Sequence, residues 1–379
     1  MKICFAVKRL AEAVGGAERV LCMVASELAA RGHEVHVLTF DVPGRAVFYP
    51  LDARVKRIDL GIGNSARAAG LTETLRRMAA LRRVISAIRP DVVVGFMHSM
   101  FVPLAFSLVA VPIPVLGSEH IVPEHYRTRP LQFGLLMLAA PFLKKITVLS
   151  EPIRIRYPGP LRRRMVVMPN PVEAALSPAD VGTEKRQYVL LSVGRLDAQK
   201  DQATLLRAFA LLTGQYPDWR LRIVGEGALR LQLERLAGQL GLEGVLDMPG
   251  VTAAISEEYQ AADLFVLPSR YEAFGLATAE AMSHGLPAVG FADCPGTNEL
   301  IIDGRTGCLV RTGADRVQNL ADTMSRLMAN APLRREMGKS AREEIGGRFS
   351  LQVVGDRWEA LLQSMLSPAT FGAGQTAEH

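Results

Sequence analysis

Strand-like and helix-like segments alternate along almost the whole chain of 379 residues. This alternation is typical of parallel sheets covered by helices, because two parallel strands need a crossover connection between them. It therefore predicts an α/β fold. The predicted strands lie near 2–7, 34–40, 55–59, 91–96, 114–118, 146–149, 165–168, 188–193, 220–224, 245–248, 264–267, 287–291 and 308–310. The predicted helices include 17–31, 70–88, 201–214, 228–240, 315–329 and 332–346.

The segment Met168-Pro169-Asn170-Pro171-Val172 interrupts the alternation. Two prolines around an asparagine break both helix and strand, and the strand pattern restarts after them. We therefore predict a first domain at 1–172 and a second at 173–350, each long enough for a full core. A helix at 351–367 is placed to pack back onto the first domain. The small, polar tail at 368–379 is expected to be disordered.

Composition excludes several classes of protein. Apolar residues make up 49% and charged residues 22%, which indicates a globular chain and not a disordered one. The four cysteines form no CxxC and the histidines do not cluster, which argues for a reducing compartment and against a zinc site or disulfide framework. The apolar run at 3–7 is too short for a signal peptide. The most apolar stretch, 99–117, carries three prolines and is predicted to be a buried helix and strand, not a membrane span.

Charge is divided unevenly between the two halves. Residues 1–172 hold 24 Lys and Arg against 12 Asp and Glu, whereas residues 173–379 hold 20 against 26. A basic half indicates an anionic partner, either membrane lipid or nucleic acid. Aromatic residues do not interleave with the basic ones, so no nucleic-acid partner is expected. A solvated surface explains any single basic cluster equally well.

One stretch of the second half, 264–287, places two carboxylates around a candidate anion site. An apolar strand at 264–267 is followed by a loop with Gly275 and a short helix, and Glu272 and Glu280 bracket this unit. The helix N-terminus offers N–H groups and a positive dipole end to an anion, and each carboxylate accepts hydroxyl protons. A nucleotide-sugar, with hydroxyl groups at both ends and phosphate between them, fits this pattern. An ordinary βα unit with two solvated glutamates is the alternative.

Further loops of the second half carry cations and glycines. Arg195 and Lys200 lie in the loop after the strand at 188–193, where two cations beside a helix N-terminus can hold a diphosphate. Solvated loop cations are the alternative. Gly225-Glu226-Gly227 repeats the strand–glycine–helix theme, although a tight turn explains it as well. At Gly250-Val251 a nucleobase could dock against the backbone, but the residue types do not demand it.

Two loops of the first half are candidates as well. Gly15 and Gly16 open a helix after the first strand, where glycine permits close approach of a ligand and the helix N-terminus favours anions. Their spacing is not that of a dinucleotide or ATP fingerprint, and a plain turn explains them about as well. His120 follows the fifth strand, at the sheet edge where such folds bind ligands. A functional role is favoured for it over a structural one.

Taken in order, these loops resemble those of the family-four retaining glycosyltransferases over nearly the whole chain. The matching features are Gly15-Gly16-Ala17-Glu18, Gly194-Arg195-Leu196 with Lys200, Gly225-Glu226-Gly227, and Glu272-Ala273-Phe274-Gly275 with Glu280. The last is similar to the family's paired-glutamate motif with seven residues between the glutamates. Ala273 stands where glycine is common. The resemblance implies the GT-B fold, in which two doubly wound Rossmann-like domains face a central crevice.

The resemblance also implies a role for each matching residue. Glu280 is expected to bind the donor ribose, Glu272 a hydroxyl of the donor sugar, and the Arg195 and Lys200 side chains the diphosphate. The implied catalytic residues are His120, Arg195, Lys200 and Glu272. The implied donor-binding residues are Gly15, Gly16, Arg195, Lys200, Gly225, Val251, Glu272, Phe274, Gly275, Leu276 and Glu280.

The reaction implied by the resemblance is transfer of a sugar with retained anomeric configuration. These loops offer no obvious aspartate nucleophile, which favours front-face attack, with the leaving diphosphate taking the acceptor proton. The chain contains no Asp-x-Asp, so a metal clamp is not expected, and Arg195 with Lys200 would take its place. No cofactor is expected, because the nucleotide-sugar is a substrate.

The order of loops is most similar to that of bacterial enzymes that extend lipid-linked oligosaccharides or exopolysaccharide repeat units from a UDP-sugar. An acceptor on polyprenyl diphosphate fits the basic first half and predicts a cytoplasmic protein, peripheral on the inner face of the cell membrane. The apolar segment at 131–143, followed by Lys144 and Lys145, is either an interfacial or a core helix. The alternative functions are a GDP-mannose-dependent mannosyltransferase, a nucleotide-sugar epimerase of similar fold and a non-catalytic sensor.

Overall fold

The computed structural model describes residues 1–11, 15–64, 67, 69–313 and 315–366. Internal contacts divide the chain into two compact units. The first unit comprises Met1–Val148, Arg154–Met168 and the residues from Gly355, and the second comprises Leu149–Ile153 and Pro169–Val354. The bounds drawn at 172 and 350 from the sequence stay predictions. The tail predicted at 368–379 lies outside the described residues.

The first unit contains a seven-stranded parallel sheet of order β3-β2-β1-β4-β5-β6-β7. Its strands are β1 (Lys2–Ala6), β2 (Glu34–Thr39), β3 (Lys56–Asp59), β4 (Val92–Phe96), β5 (Val115–Ser118), β6 (Lys145–Val148) and β7 (Met165–Val167). The helices over this part of the chain are α1 (Gly16–Ala30), α2 (Leu71–Ile88), α3 (His98–Ser107), α4 (Pro130–Ala139), α5 (Glu151–Ile155) and α6 (Gly159–Arg162). Short 3₁₀ helices lie at Pro123–Thr128 and Ala140–Phe142. The strand order reverses direction between β1 and β4, and folds of this type bind ligands at the carboxyl ends of the strands near such a point.

The second unit contains a six-stranded parallel sheet of order β10-β9-β8-β11-β12-β13. Its strands are β8 (Tyr188–Val193), β9 (Trp219–Val224), β10 (Leu246–Gly250), β11 (Leu264–Leu267), β12 (Ala288–Phe291) and β13 (Gly307–Val310). Its helices are α7 (Gln202–Ala210), α8 (Arg230–Gln239), α9 (Ile255–Ala261), α10 (Leu276–Ser283), α11 (Thr297–Leu300), α12 (Arg316–Met328) and α13 (Ala331–Phe349). Here the order reverses between β8 and β11, so the loops after these two strands are brought to the same edge of the sheet.

The last helix, α14 (Leu351–Leu366), packs on the first unit from Gly355 onward. The buried indole of Trp358 stacks on Phe96 with ring centroids 6.1 Å apart. On the solvent side, Arg31 of α1 makes ion pairs with Asp356 at 2.6 Å and with Glu359 at 3.1 Å. This helix therefore combines a buried aromatic contact with a rim of ion pairs.

The α/β fold predicted from the alternation is confirmed, and each predicted strand corresponds to an observed one within two residues. The central strands β4 and β11 are continuous apolar runs and fully buried, whereas β3, at the sheet edge opposite β7, reads Lys-Arg-Ile-Asp. The four cysteines are buried and unpaired. Among the residues that the structure describes, no helix is long and apolar enough to cross a bilayer.

Candidate active site

The loops after β8 and β11 join at the carboxyl edge of the second sheet. The backbone N–H of Arg270 donates to the carbonyl oxygen of Gln199 at 2.9 Å. The side-chain amide of Gln199 in turn donates to the carbonyl oxygen of Tyr271 at 2.9 Å. These loops are neighbours because β8 and β11 pair directly where the strand order reverses. The two predicted donor-binding loops of this unit therefore form one substructure.

Glu272 is held at this junction by a cation and a hydroxyl group. Lys200 Nζ lies 2.6 Å from Glu272 Oε1, and Ser269 Oγ donates to the same oxygen at 2.6 Å. The carboxylate side chain is only 8% exposed, and removing a carboxylate from water to this extent is costly without such partners. Within the described residues, no hydrogen bond is made to Glu272 Oε2. That oxygen is therefore available to accept a hydrogen bond from a ligand hydroxyl group.

The helix α10 begins immediately after this carboxylate. Gly275 precedes it with φ of +87°, a left-handed conformation that side-chain-bearing residues rarely adopt. The first N–H groups of a helix have no partner within the helix, and they point away from its N-terminus. The predicted backbone site at Phe274, Gly275 and Leu276 thus coincides with a helix N-terminus suited to an anion.

Glu280 lies on the same helix and is 8% exposed. Its Oε2 accepts a hydrogen bond from the Tyr259 hydroxyl at 3.1 Å. His284, one turn later, donates from Nδ1 to the Glu280 carbonyl oxygen at 2.8 Å, and its Nε2 lies 2.8 Å from Ser256 Oγ. The sequence analysis missed these three neighbours. His284 could have been found, because residues four apart share a helix face.

Arg195 and Lys200 occupy different environments. The Arg195 side chain is 71% exposed, and its Nη2 lies 3.3 Å from Asp197 Oδ2 and 3.3 Å from Gln199 Oε1. Exposed ion pairs of this kind contribute little, so the guanidinium can leave Asp197 for an anionic ligand at small cost. Lys200, by contrast, is already paired with Glu272. Binding of a diphosphate by either cation stays a prediction.

Four further positions were predicted to bind the donor: Gly225, Val251, Gly15 and Gly16. The structure gives a steric reason for glycine at position 225 and shows where the other three lie. A Cβ atom on Gly225 would lie 2.0 Å from the carbonyl oxygen of Gly194, so glycine is required where the loops after β8 and β9 meet. Val251 directly follows β10 and is 55% exposed. In the first unit, Gly15 immediately precedes α1 and Gly16 is its first residue. Donor binding at these four positions stays a prediction.

In the first unit, a chain of hydroxyl groups orients His120 after β5. Its ring stacks on Phe96 of β4 with centroids 5.1 Å apart, and its Nε2 lies 3.0 Å from Ser118 Oγ. Ser118 Oγ accepts a hydrogen bond from Thr147 Oγ1 at 3.0 Å, so the Ser118 proton is available for Nε2. This arrangement fits the tautomer in which Nδ1 carries the ring proton and Nε2 accepts. Burial lowers the pKa of His120 to about 4, which makes it a neutral hydrogen-bond donor near pH 7.

Glu119, beside His120, has a defined place that the sequence analysis missed. Its buried Oε1 accepts from the N–H groups of His120 at 3.0 Å and Ile121 at 3.2 Å. Its Oε2 accepts from the Tyr126 hydroxyl at 2.6 Å and lies 4.0 Å from Nδ1 of His98. Burial raises the pKa of Glu119 to about 7 and, with His125 nearby, lowers that of His98 to about 4. Apart from His120, the sequence feature that could have indicated this cluster is the position of His98, which follows the end of β4 by two residues.

A search of the described residues finds no group of three His, Cys, Asp or Glu side chains that could hold a metal ion. Both clusters consist of carboxylates, hydroxyl groups and imidazoles, and the cluster of the second unit also contains cations. In the second unit these groups surround a helix N-terminus, which is the arrangement expected for a ligand with phosphate and hydroxyl groups.

Comparison with known families decides between the readings of this arrangement. The family "Glycosyltransferase Family 4" matches residues 14–176, and the family "Glycosyl transferases group 1" matches residues 175–344. Together these matches extend over most of the chain. The chain belongs to the family 4 glycosyltransferases. The resemblance inferred from the paired glutamates is thereby confirmed.

Relatives of this glycosyltransferase are found among bacterial proteins. It is 28% identical to the "Exopolysaccharide phosphotransferase SCO2592" of Streptomyces coelicolor, with 97% of this chain and 41% of that protein covered. The chain thus spans less than half the length of that relative. It is 24% identical to a Campylobacter jejuni protein named "GalNAc-alpha-(1->4)-GalNAc-alpha-(1->3)-diNAcBac-PP-undecaprenol alpha-1,4-N-acetyl-D-galactosaminyltransferase", with 96% of this chain and 98% of that protein covered.

Solved structures show the same architecture. The Anabaena protein HepE, solved in complex with UDP and glucose, matches this glycosyltransferase with a TM-score of 0.75 at 20% identity. The match covers 96% of this chain and 100% of that one. The glycosyltransferase therefore has the GT-B fold predicted from its sequence.

Proposed function

We propose that this glycosyltransferase transfers a hexose or N-acetylhexosamine from a UDP-sugar to a lipid-linked glycan or polysaccharide precursor, with retention of configuration. The observation that carries the proposal is the Glu272–Lys200 pair beside the N-terminus of α10, with Glu280 about one turn into that helix. This arrangement offers oxygen acceptors for hydroxyl groups on either side of a site for phosphate. The UDP and glucose bound to HepE support the same class of donor.

Each group of the second unit has a task in the proposal. Glu280, which accepts a hydrogen bond from Tyr259, also accepts hydrogen bonds from the ribose hydroxyl groups. Glu272 accepts a hydrogen bond from a sugar hydroxyl group at Oε2, while Lys200 occupies Oε1. The exposed guanidinium of Arg195 turns from Asp197 to the diphosphate. The dipole of α10 adds further stabilisation to an anion near Gly275.

The proposed reaction is a front-face displacement without metal or cofactor. The bond between the anomeric carbon and the donor diphosphate breaks, and a bond from the acceptor oxygen forms on the same face. The acceptor proton passes to the departing diphosphate oxygen, so the products are the glycoside and UDP. Arg195 and Lys200 stabilise the charge that develops on the leaving group. His120, a neutral donor through Nδ1, is proposed to bind a sugar oxygen.

The proposed acceptor is carried on polyprenyl diphosphate, and the protein is peripheral on the inner face of the cell membrane. The Campylobacter jejuni relative is named for an undecaprenol-PP acceptor, which supports this class. The excess of Lys and Arg in residues 1–172 supports an anionic surface as a partner.

A donor screen by thermal denaturation tests the proposal. We expect one UDP-sugar, at about 100 times its Kd, to raise Tm by several degrees, with or without a magnesium chelator. The panel would contain the glucose, galactose, glucuronate and N-acetylhexosamine forms of UDP-sugars, and GDP-mannose. Glu280→Gln should abolish the shift, whereas Glu336→Gln, an exposed carboxylate on α13, should retain it. Stabilisation by GDP-mannose alone, or by no nucleotide-sugar, would overturn the proposed donor.

A further inference from the structure

The helix α4 and the 3₁₀ turn after it present an exposed row of large apolar side chains. The members of this apolar row, with their exposed fractions, are Leu131 (77%), Leu135 (40%), Leu138 (64%) and Phe142 (47%). Spacings of three and four residues place them within about 60° of one another around the helix. Leu136 lies about 120° around the helix from the centre of the row and is buried, and Ala139, at the edge of the row, is buried as well. Single exposed leucines are ordinary, but a continuous row marks an interaction surface.

A cavity of about 480 Å³ lies beside this row and is lined by four cations. The cationic pocket consists of Lys144, Lys145, Arg163 and Arg164, and residues Met137 and Pro141 of the row's own segment form part of its wall. The apolar row and the pocket thus share one stretch of backbone.

The positive charge of the pocket is not compensated locally. Residues 124–172 contain nine Lys and Arg but two Asp or Glu, and Glu124 pairs with Arg127 and Arg156, which are not part of the pocket. Two of the four cations are held by carbonyl groups, which carry no net charge: Arg164 donates to Leu143 at 2.7 Å, and Lys144 donates to Met365. These contacts orient the cations without neutralising them. The pocket is therefore suited to a phosphate group.

We propose that the apolar row and the cationic pocket together dock this protein on a bilayer that contains anionic phospholipid. The row enters the boundary between headgroups and acyl chains, and the pocket binds a lipid phosphate. A second copy of the chain fits less well, because a symmetric contact would bring two sets of four cations into the same interface. The inference rests on the proposed function for its lipid-linked acceptor, but the surface can be tested without any transfer assay.

Flotation with vesicles tests the surface directly. We expect the full-length protein to float with phosphatidylcholine vesicles that contain phosphatidylglycerol, far less with phosphatidylcholine alone, and less as salt is raised. The variant Lys145→Gln/Arg163→Gln should bind the anionic vesicles about 25-fold more weakly, at about fivefold for each charge removed. Leu138→Gln should weaken binding about tenfold or more.

Matched controls come from the second unit. Leu231 on α8 is exposed by 64%, as Leu138 is, and Arg235 is an exposed cation of the same helix. Leu231→Gln and Arg235→Gln should leave vesicle binding unchanged. Equal losses for test and control variants would overturn the proposal, since they would indicate non-specific adsorption.

Other occupants give other results. If the pocket alone mattered, Leu138→Gln would float normally and inorganic phosphate would displace the vesicles. If a second copy covered the row, sedimentation would show a dimer that Leu138→Gln dissociates, and flotation would be weak. Either result overturns bilayer docking. Vesicle binding without any Tm shift by nucleotide-sugars would refute the proposed donor but not the proposed membrane surface. A Tm shift by a UDP-sugar without flotation would refute the membrane surface but not the donor.

Discussion

The two clusters at the sheet edges differ in whether a cation balances the buried carboxylate. In the second unit, Glu272 is balanced by the Lys200 ammonium group at 2.6 Å. In the first unit, Glu119 receives hydrogen bonds from Tyr126 and two backbone N–H groups, but its nearest basic side chain is His98 at 4.0 Å. Burial then raises the pKa of Glu119 to about 7, and the histidine beside it is neutral. One cluster is an ion pair and the other a network of nearly neutral groups.

This difference indicates how each cluster can serve a ligand. A fixed ion pair provides a cation that can bind phosphate and a carboxylate that can accept hydrogen bonds from the hydroxyl groups of a donor. A neutral network presents directional hydrogen bonds without adding charge, which suits an uncharged sugar. Substitutions that change charge should therefore act most strongly in the second unit. In the first unit, pH and hydrogen-bond direction should matter more.

The largest effect is expected from breaking the ion pair. Lys200→Met should lower turnover about 10²- to 10³-fold, as removal of one charge-stabilising group does at other sites. It should also lower the free energy of unfolding by about 3 kcal/mol, because Glu272 is left buried without its cation. In Lys200→Met/Glu272→Gln, stability should recover in part while turnover stays low. Steady-state kinetics and urea unfolding measure the two quantities.

A second ion pair of the same unit provides the control for this prediction. Lys185 Nζ lies 2.8 Å from the buried carboxylate of Asp263, at the start of β11 and thus away from the carboxyl edge. Lys185→Met should lower stability by a similar amount but leave turnover near normal below Tm. If Lys200→Met behaved in the same way as Lys185→Met, the pair would be structural and the contrast between the clusters would fail.

The next effect is a pH dependence that belongs to Glu119. Its folded-state pKa of about 7 lies above the ordinary value of about 4.3. The stability it contributes is therefore full below about pH 4.3 and is lost as pH rises through 7. Relative to Glu119→Gln, the unmodified protein should lose about 3 kcal/mol across this window. His98 and His120, with lowered pKa values, act in the opposite direction, but they are present in both proteins and largely cancel.

Urea unfolding between about pH 5 and pH 8 measures this difference. Asp52→Asn is a suitable control, because the hydrogen bonds from Arg54 hold the pKa of Asp52 well below the range examined. Its effect on the free energy of unfolding should be the same at every pH. A pH-independent effect of Glu119→Gln would show that Glu119 stays ionised, and the first cluster would then resemble the second.

The two clusters also differ in how far the sequence predicts them. The strands and their loops are local features, since a buried parallel strand is a short apolar run, and each loop is marked by glycine or charge. Glu272, Glu280 and His120 could therefore be singled out. The contact of Lys200 with Glu272 joins positions 72 apart and depends on the reversal of strand order between β8 and β11. It could not be predicted from spacing alone.

Besides contacts between distant positions, the burial of individual side chains could not be predicted from the sequence. Nothing in the segment Gly117-Ser118-Glu119-His120 shows that Glu119 is fully covered and that its pKa is raised. The apolar segment at 131–143 left a core helix and an interfacial helix equally open. In the structure it has both characters, because Leu136 is buried and Leu138 is exposed. A side chain's depth depends on the elements packed around it, and these come from distant parts of the chain.

The smallest effect is expected from Ser118, a positioning residue for His120. Ser118→Ala removes the hydrogen bond to Nε2, which is worth about 1 kcal/mol, so turnover should fall about fivefold. The ring proton should then divide between the two nitrogens, which ¹⁵N NMR of the imidazole detects. Ser118→Thr keeps a hydroxyl group and should restore both the Nδ1–H tautomer and turnover.

This prediction separates hydrogen-bond direction from charge. Since Ser118 does not ionise, the loss of turnover in Ser118→Ala should be the same from about pH 6 to pH 8, unlike the pH-dependent effect of Glu119→Gln. Thr147→Val, which removes the hydrogen bond donated to Ser118, should shift the tautomer less than Ser118→Ala does. An unchanged tautomer in Ser118→Ala would mean that Ser118 does not set it. The neutral cluster would then orient His120 by packing on Phe96 alone.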